Sequence, residues 1–181
     1  MAPKTANEAA ATDLPTSPET LLASFDSLGL TYSLHHHPAI FTVAEGHEIE
    51  RNIPGLHCRN LFLRDKKDKM FLVSAANETK IDLKDLSDRL QCGRLSFGSP
   101  ARLWAYLGVR PGSVCPFAVV NDTQGLVTPL LDAYMMKAAL VNFHPLINTM
   151  TVGLAPADLL AFIRQTGHKP LTVDFGNAQD S

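Results

Sequence analysis

Cys58-Arg59-Asn60-Leu61-Phe62-Leu63-Arg64, then Asp65-Lys66-Lys67-Asp68-Lys69, then Met70-Phe71-Leu72-Val73-Ser74-Ala75 reads as two strands joined by a polar connection of hairpin length. Alternation along the first strand puts Leu61 and Leu63 on one face and Asn60, Phe62 and Arg64 on the other. Arg59 shares the leucine side near the strand's start. If the leucines face the core, Arg59 points inward at the rim, where an arginine needs a carboxylate or an anionic ligand. Around this hairpin, strands outnumber helices and mostly follow one another through short turns. That pattern predicts an α+β fold: one domain with a curled, mixed and largely antiparallel sheet, barrel-like in its core and flanked by helices.

N-terminal to the hairpin, Ser17-Pro18-Glu19 is a helix start, with a capping hydroxyl followed by proline at the first helical position. Leu21, Leu22, Phe25 and Leu28 form its apolar face. Thr31 to Leu34 predicts a strand, and Thr42 with Glu45 a capping box for a short helix. C-terminal to the hairpin, Asp82 caps a helix through Leu90, a short strand spans Arg94 to Phe97, and Ser99-Pro100 opens a helix ended by Gly108. Phe117 to Val120 reads as a buried strand stopped by Asn121-Asp122. Leu126 to Thr128 is expected as a strand and Pro129 to Lys137 as a short helix. Two further strands, Ala138 to Phe143 and Thr149 to Gly153, precede a last helix opened by Pro156 and a closing strand from Leu171.

At 181 residues, with a hydrophobic share of 45% and a charged share of 19%, the chain fits one globular domain able to bury about two-thirds of its unfolded surface. No apolar run reaches the roughly 18 residues of a membrane span. Residues 1–16 read as a disordered leader, 17–175 as the domain and 176–181 as a tail. Three cysteines, Cys58, Cys92 and Cys115, leave one unpaired in any disulfide scheme and lack metal-ligand spacing, which points to a reducing cytoplasm. The net charge of −2 hides a local asymmetry, because Arg59, Arg64, Lys66, Lys67 and Lys69 fall within eleven residues. That cluster is either a solvated hairpin face or a phosphate-binding patch, with Arg89, Arg94 and Arg102 as a looser second group.

The chain holds no nucleophile elbow, phosphate-loop lysine motif, dinucleotide fingerprint or zinc-hydrolase helix. His35-His36-His37-Pro38 ends the strand predicted from Thr31 to Leu34, and because adjacent strand residues point to opposite faces, no more than two of the histidines can converge on a metal. Gly112-Ser113-Val114-Cys115-Pro116 is bounded by a residue that permits unusual backbone angles and one that forbids most of them. It is either a connection or a loop holding amides toward a ligand. Cys115 with a distant His144 is a conceivable nucleophile and base, against the reading of a small buried residue. His144 precedes proline, so it either braces a junction or acts in proton transfer.

Four segments together resemble the YbaK-like family: Gly112-Ser113-Val114-Cys115-Pro116-Phe117 with Asn121-Asp122, Arg59-Asn60-Leu61-Phe62-Leu63-Arg64-Asp65-Lys66-Lys67, Arg94-Leu95-Ser96-Phe97, and Asn142-Phe143-His144-Pro145-Leu146-Ile147-Asn148-Thr149. They occur in the family's order, and the resemblance runs from about Ser17 to Phe175. The nearest match is the free-standing prolyl-tRNA editing branch, deacylases that clear alanine from tRNA for proline. The resemblance implies a cofactor-free hydrolase of the ester in mischarged tRNA, with the aminoacylated acceptor end as partner and prolyl-tRNA synthetase as a possible second. It implies catalytic roles for Gly112, Arg59 and His144, and substrate binding by Ser113, Val114, Cys115 and Pro116. Arg64, Lys66, Lys67 and Arg94 fall at positions implied to bind tRNA. Where the family usually carries lysine this chain has Arg59. Removal of serine, threonine or cysteine, or a weakly active tRNA- or synthetase-binding module, are the alternatives.

Overall fold

Helix starts follow local chemistry. In α1 (Pro18–Ser27) the Ser17 hydroxyl accepts Thr20 N–H at 3.1 Å. α2 (Val43–Glu50) opens on a complete capping box: Thr42 Oγ1 accepts Glu45 N–H, and the Glu45 carboxylate accepts Thr42 N–H at 2.9 Å. Asp82 caps α3 (Leu83–Arg89), and Ser99 caps α4 (Pro100–Leu107), which Gly108 ends in a left-handed turn. α5 (Pro156–Gln165) begins on its proline.

The computed structural model describes residues 13–176. The leader expected over 1–16 lies outside the described residues as far as residue 12, and the expected tail does so from residue 177. Asp13 pairs with Arg110 at 2.7 Å, and Thr16 Oγ1 donates to Asn121 Oδ1 at 2.7 Å.

The strands are β1 (Tyr32–His36), β2 (Leu56–Arg64), β3 (Met70–Ala76), β4 (Ser96–Phe97), β5 (Val127–Asp132), β6 (Val141–Phe143), β7 (Met150–Leu154) and β8 (Leu171–Val173). They form one open mixed sheet in the order β1-β7-β6-β2-β3-β5-β8, with β4 added to β2. The β2–β3 hairpin is antiparallel as expected, with Arg59 opposite Ala75 and Arg64 opposite Met70. β5 and β8 join in parallel.

Both faces of the hairpin are buried. Phe62, Met70 and Leu72 enter the larger core, where Leu21 and Phe25 of α1, Leu103 and Leu107 of α4, and Phe162 of α5 converge. Leu63, Phe71 and Val73 enter a smaller core with Leu86 of α3, Leu95 and Leu130. The leucine face of β2 therefore covers the smaller core, and Arg59 at its open end is exposed rather than turned inward.

Two local expectations are corrected. Pro116–Asn121 is a 3-10 helix, not a strand. Pro116 fixes a helical φ at its start, Ala118 N–H closes onto Cys115 O at 3.2 Å, and Phe117, Ala118 and Val119 are buried on every side. A short run that is apolar all round has no period to tell a strand from a helical turn. The helix expected over Pro129 to Lys137 is instead the continuation of β5 to Asp132, followed by a 3-10 turn at Met135–Lys137. Pro129 is tolerated because β8 reaches only Leu130 to Asp132, which leaves that side of β5 unpaired at the proline.

β2 and β6 pair through only two positions, Leu56 with Val141 and His57 with Asn142. Beyond them β2 follows β3 and β4, while β6 ends at Phe143, so the sheet forks. Asn142 sits in the crotch of the fork and is buried. Its Nδ2 donates to Pro54 O at 2.9 Å. A Cβ placed on Gly55 would lie 2.8 Å from that nitrogen, and one on Gly153 2.8 Å from Asn142 Oδ1. Glycine at both sites is what lets the amide fit.

Candidate active site

The fork opens into a cavity of about 50 Å³, roofed by Ile49, Glu50 and Ile53 at the end of α2. Its polar wall comes from His57, Asn60, Asn142, His144 and Thr151. Among the described residues no lysine or arginine lines it.

His144 follows β6 and is held by Pro145 in a tight turn, where Leu146 N–H donates back to His144 O at 3.0 Å. Leu146 takes φ of 71°, a left-handed conformation that costs a leucine about 1–2 kcal/mol. His144 Nδ1 lies 2.8 Å from Met150 O. A carbonyl only accepts, so Nδ1 carries the proton and Nε2 keeps its lone pair in the neutral ring. Burial lowers the His144 pKa below its ordinary value, the Met150 carbonyl opposing that shift. The ring is neutral at pH 7.

His37 stands beside it, ring centroids 5.7 Å apart. Its Nδ1 lies 2.9 Å from Pro38 O and its Nε2 2.8 Å from Thr151 Oγ1, so the threonine hydroxyl donates to Nε2. His57 gives its Nε2 proton to Ile53 O at 2.9 Å, which leaves Nδ1 as an acceptor. Asn60 Oδ1 accepts from Ser74 Oγ at 2.7 Å, and its amide protons are the cavity's side-chain donor. Asn142 Oδ1 is the buried side-chain oxygen without a partner among the described residues.

Of the residues that the resemblance implies in catalysis or binding, His144 alone lines this cavity. Gly112, at φ of 88°, and Ser113, whose N–H donates to Arg110 O at 3.0 Å, belong to the neighbouring loop. The loop touches the His144 segment on two sides. A Cβ on Gly112 would be 4.0 Å from Asn148 Nδ2, and that nitrogen donates to Ile40 O at 3.0 Å on the cavity rim. The Leu146 backbone acts on the Cys115 thiol, opposing the upward push of burial. Val114 packs half-buried against the larger core, and Cys115 and Pro116 are fully inside. Burial pushes the Cys115 thiol up to about 11 and the Cys58 thiol up to about 12. Neither supplies thiolate at neutral pH, which removes the Cys115–His144 nucleophile pair.

Arg59 lies outside the cavity. Its Nη2 donates to Thr79 O at 2.7 Å, and the Thr79 hydroxyl is itself bonded to the buried carboxylate of Asp132. The hairpin tip is a third place. Arg64 and Arg102 both reach Asp68, at 3.2 and 3.1 Å. The Asp65 carboxylate gathers Lys67 N–H at 2.7 Å, Lys69 N–H at 2.9 Å and Gly93 N–H at 3.4 Å. That last bond brings the 92–94 segment, with Arg94, to Lys66 and Lys67. The tip stands four residue steps along β2 from Asn60, about 13 Å from the cavity.

Sequence reading passed over Glu50, His57, Asn60 and Thr151. Asn60 carried a signal, as the polar residue on the Phe62 face of β2. The others become neighbours only through the fork and α2.

The site thus consists of a small cavity with a neutral, oriented imidazole on an open mixed α/β sheet. The aminoacyl-tRNA editing domain family matches residues 37–162, and the chain belongs to that family. It is 35% identical over 162 residues to prolyl-tRNA synthetase associated domain-containing protein 1 of Xenopus laevis, covering 87% of this chain and 96% of that protein. It is 35% identical over 151 residues to the prolyl-tRNA editing protein ProX of Acetoanaerobium sticklandii, covering 83% and 92%. The fold matches a solved structure described as a candidate trans-editing enzyme for prolyl-tRNA synthetase, with a TM-score of 0.65 at 18% identity, covering 86% and 92%. Among the described residues no helix is long and apolar enough to cross a membrane.

Proposed function

We propose that the protein is a trans-editing deacylase that hydrolyses the ester of alanine mischarged on tRNA for proline. The observation that carries this reading is the neutral His144, its Nε2 unprotonated, beside a cavity of about 50 Å³. Such a cavity suits a small side chain. A synthetase pocket shaped for proline admits alanine, and a smaller second pocket hydrolyses what slipped through.

In this reaction water adds to the ester carbonyl, the carbon–oxygen bond to the terminal ribose breaks, and alanine and a ribose hydroxyl leave. His144 Nε2 accepts a proton from the attacking water or from the neighbouring ribose hydroxyl. The loop from Gly112 to Pro116 positions the aminoacyl carbonyl, with amides flanking the engaged Ser113 N–H as oxyanion donors. Asn60 adds a side-chain donor. Arg64, Lys66, Lys67 and Arg94 bind the acceptor stem, about 13 Å or more along β2 from the cavity. Prolyl-tRNA synthetase is the natural supplier of the mischarged substrate.

Arg59, tied to the Thr79 carbonyl outside the cavity, favours a second reading: a tRNA- or synthetase-binding module with weak turnover. One panel of alanyl, seryl, threonyl, cysteinyl and prolyl esters on matched tRNAs, run with the native protein and Arg59→Lys, separates the two. Release of alanine above the spontaneous rate by the native protein is expected. Salt-sensitive tRNA binding without release, with turnover appearing in Arg59→Lys, would establish the module instead.

A further inference from the structure

We infer that the cavity recognises the free α-ammonium of its substrate through Glu50, and so rejects esters whose amine is acylated. The inference rests on the aminoacyl-ester reading and specifies what that ester must carry. Among the described residues Glu50 is the one charged side chain of the cavity wall. Its carboxylate meets Asn77 Nδ2 at 3.2 Å and His47 Nδ1 at 3.5 Å, and no lysine or arginine among the described residues pairs with it. It ends α2, where the helix dipole adds negative potential to its own charge.

Apart from the Asn60 amide, the remaining polar side chains share this polarity. His57 Nε2–H and His144 Nδ1–H donate to Ile53 O and Met150 O, and the tautomers those carbonyls select leave a lone pair on the other nitrogen of each ring. Thr151 has given its hydroxyl proton to His37. Asn142 Oδ1, on a residue 2% exposed, has no donor among the described residues. A wall of acceptors around a carboxylate fits a ligand group with several N–H donors and a positive charge. An ammonium is that group. An N-acyl amide has one N–H, no charge and an extra carbonyl, so it would leave Glu50 without its counter-ion and add an acceptor to a wall whose side-chain donor is Asn60.

The test uses alanyl-tRNA and N-acetylalanyl-tRNA, and in parallel their non-hydrolysable amide analogues on 3′-aminoadenosine, followed by NMR titration. The native protein should release alanine at least tenfold faster than N-acetylalanine and bind only the free-amine analogue. Glu50→Gln, which keeps the shape and the carbonyl facing Asn77, should shrink that rate ratio at least tenfold. Equal rates on the two esters in the native protein, or an unchanged ratio in Glu50→Gln, overturns the inference and leaves the deacylase reading standing. Release from neither ester, with neither analogue bound, overturns the deacylase reading and the inference with it.

Discussion

At His144 the surroundings set the chemistry. Burial lowers its pKa below the ordinary 6.5, so the unfolded chain takes up a proton at higher pH than the folded one. Folding stability from this residue is complete above about pH 6.5 and falls as the pH drops through the folded-state value. Activity that needs the neutral ring should follow the same direction, with a plateau through neutral pH and a decline beginning below 6.5. A pH–rate profile for alanine release checks this, and a decline that starts above pH 7 would contradict it. Gly112 makes a different demand. At φ of 88° a Cβ would meet nothing nearer than Asn148 Nδ2 at 4.0 Å, so backbone angle, not space, excludes other residues. Gly112→Ala should cost about 1–2 kcal/mol in denaturant unfolding. It should lower alanine release more than alanine binding, because a relaxed loop no longer holds the carbonyl. Cys115→Ala, by contrast, should keep its turnover, since the thiol is buried and protonated.

At the scale of elements, end chemistry was legible and interior chemistry was not. Ser17, Thr42 with Glu45, and Ser99 announced their helices because a cap is a local bond between a side chain and an amide three residues on. The hairpin was legible for the same reason, its alternation and polar turn being local. Phe117 to Val120 misled because burial on all sides erases periodicity, and Pro129 misled because its tolerance depends on where β8 stops. The site was half legible. His144 and the Gly112 loop stood out by residue type, whereas Glu50 and Thr151 join the cavity only when α2 and β7 close on the fork. Asp132, at the end of β5, shows how elements are tied across such distances. Its carboxylate accepts Ala76 N–H at 3.2 Å, Tyr134 N–H at 2.9 Å and the Thr79 hydroxyl. Asp132→Ala leaves those donors stranded in the interior and should cost about 3 kcal/mol or more. Thermal and denaturant unfolding would show it, and a loss under about 1 kcal/mol would mean that water replaces the carboxylate.

For the whole molecule, a net charge of −2 conceals a division of labour, with basic residues at the hairpin tip and acceptors in the cavity. Overall charge gives no general attraction for nucleic acid, so binding should depend on the tip. Lys66→Glu with Lys67→Glu should weaken tRNA binding and reduce the slope of log affinity against log salt by about one for each phosphate no longer neutralised. Affinity measured at several salt concentrations checks this, and an unchanged slope would place the tRNA elsewhere. The two halves of the sheet, one ending near the tip and the other bearing His144, meet at Asn142, wedged between Gly55 and Gly153. Those three positions lie far apart in the chain yet form one packing unit. A methyl group gained at Gly153 would meet Ser33 Oγ at 2.7 Å as well as Asn142, and one at Gly55 would meet Leu140 at 3.0 Å on a backbone of φ 107°, so shortening residue 142 alone admits neither, and the histories of these positions are bound to one another although their codons are not.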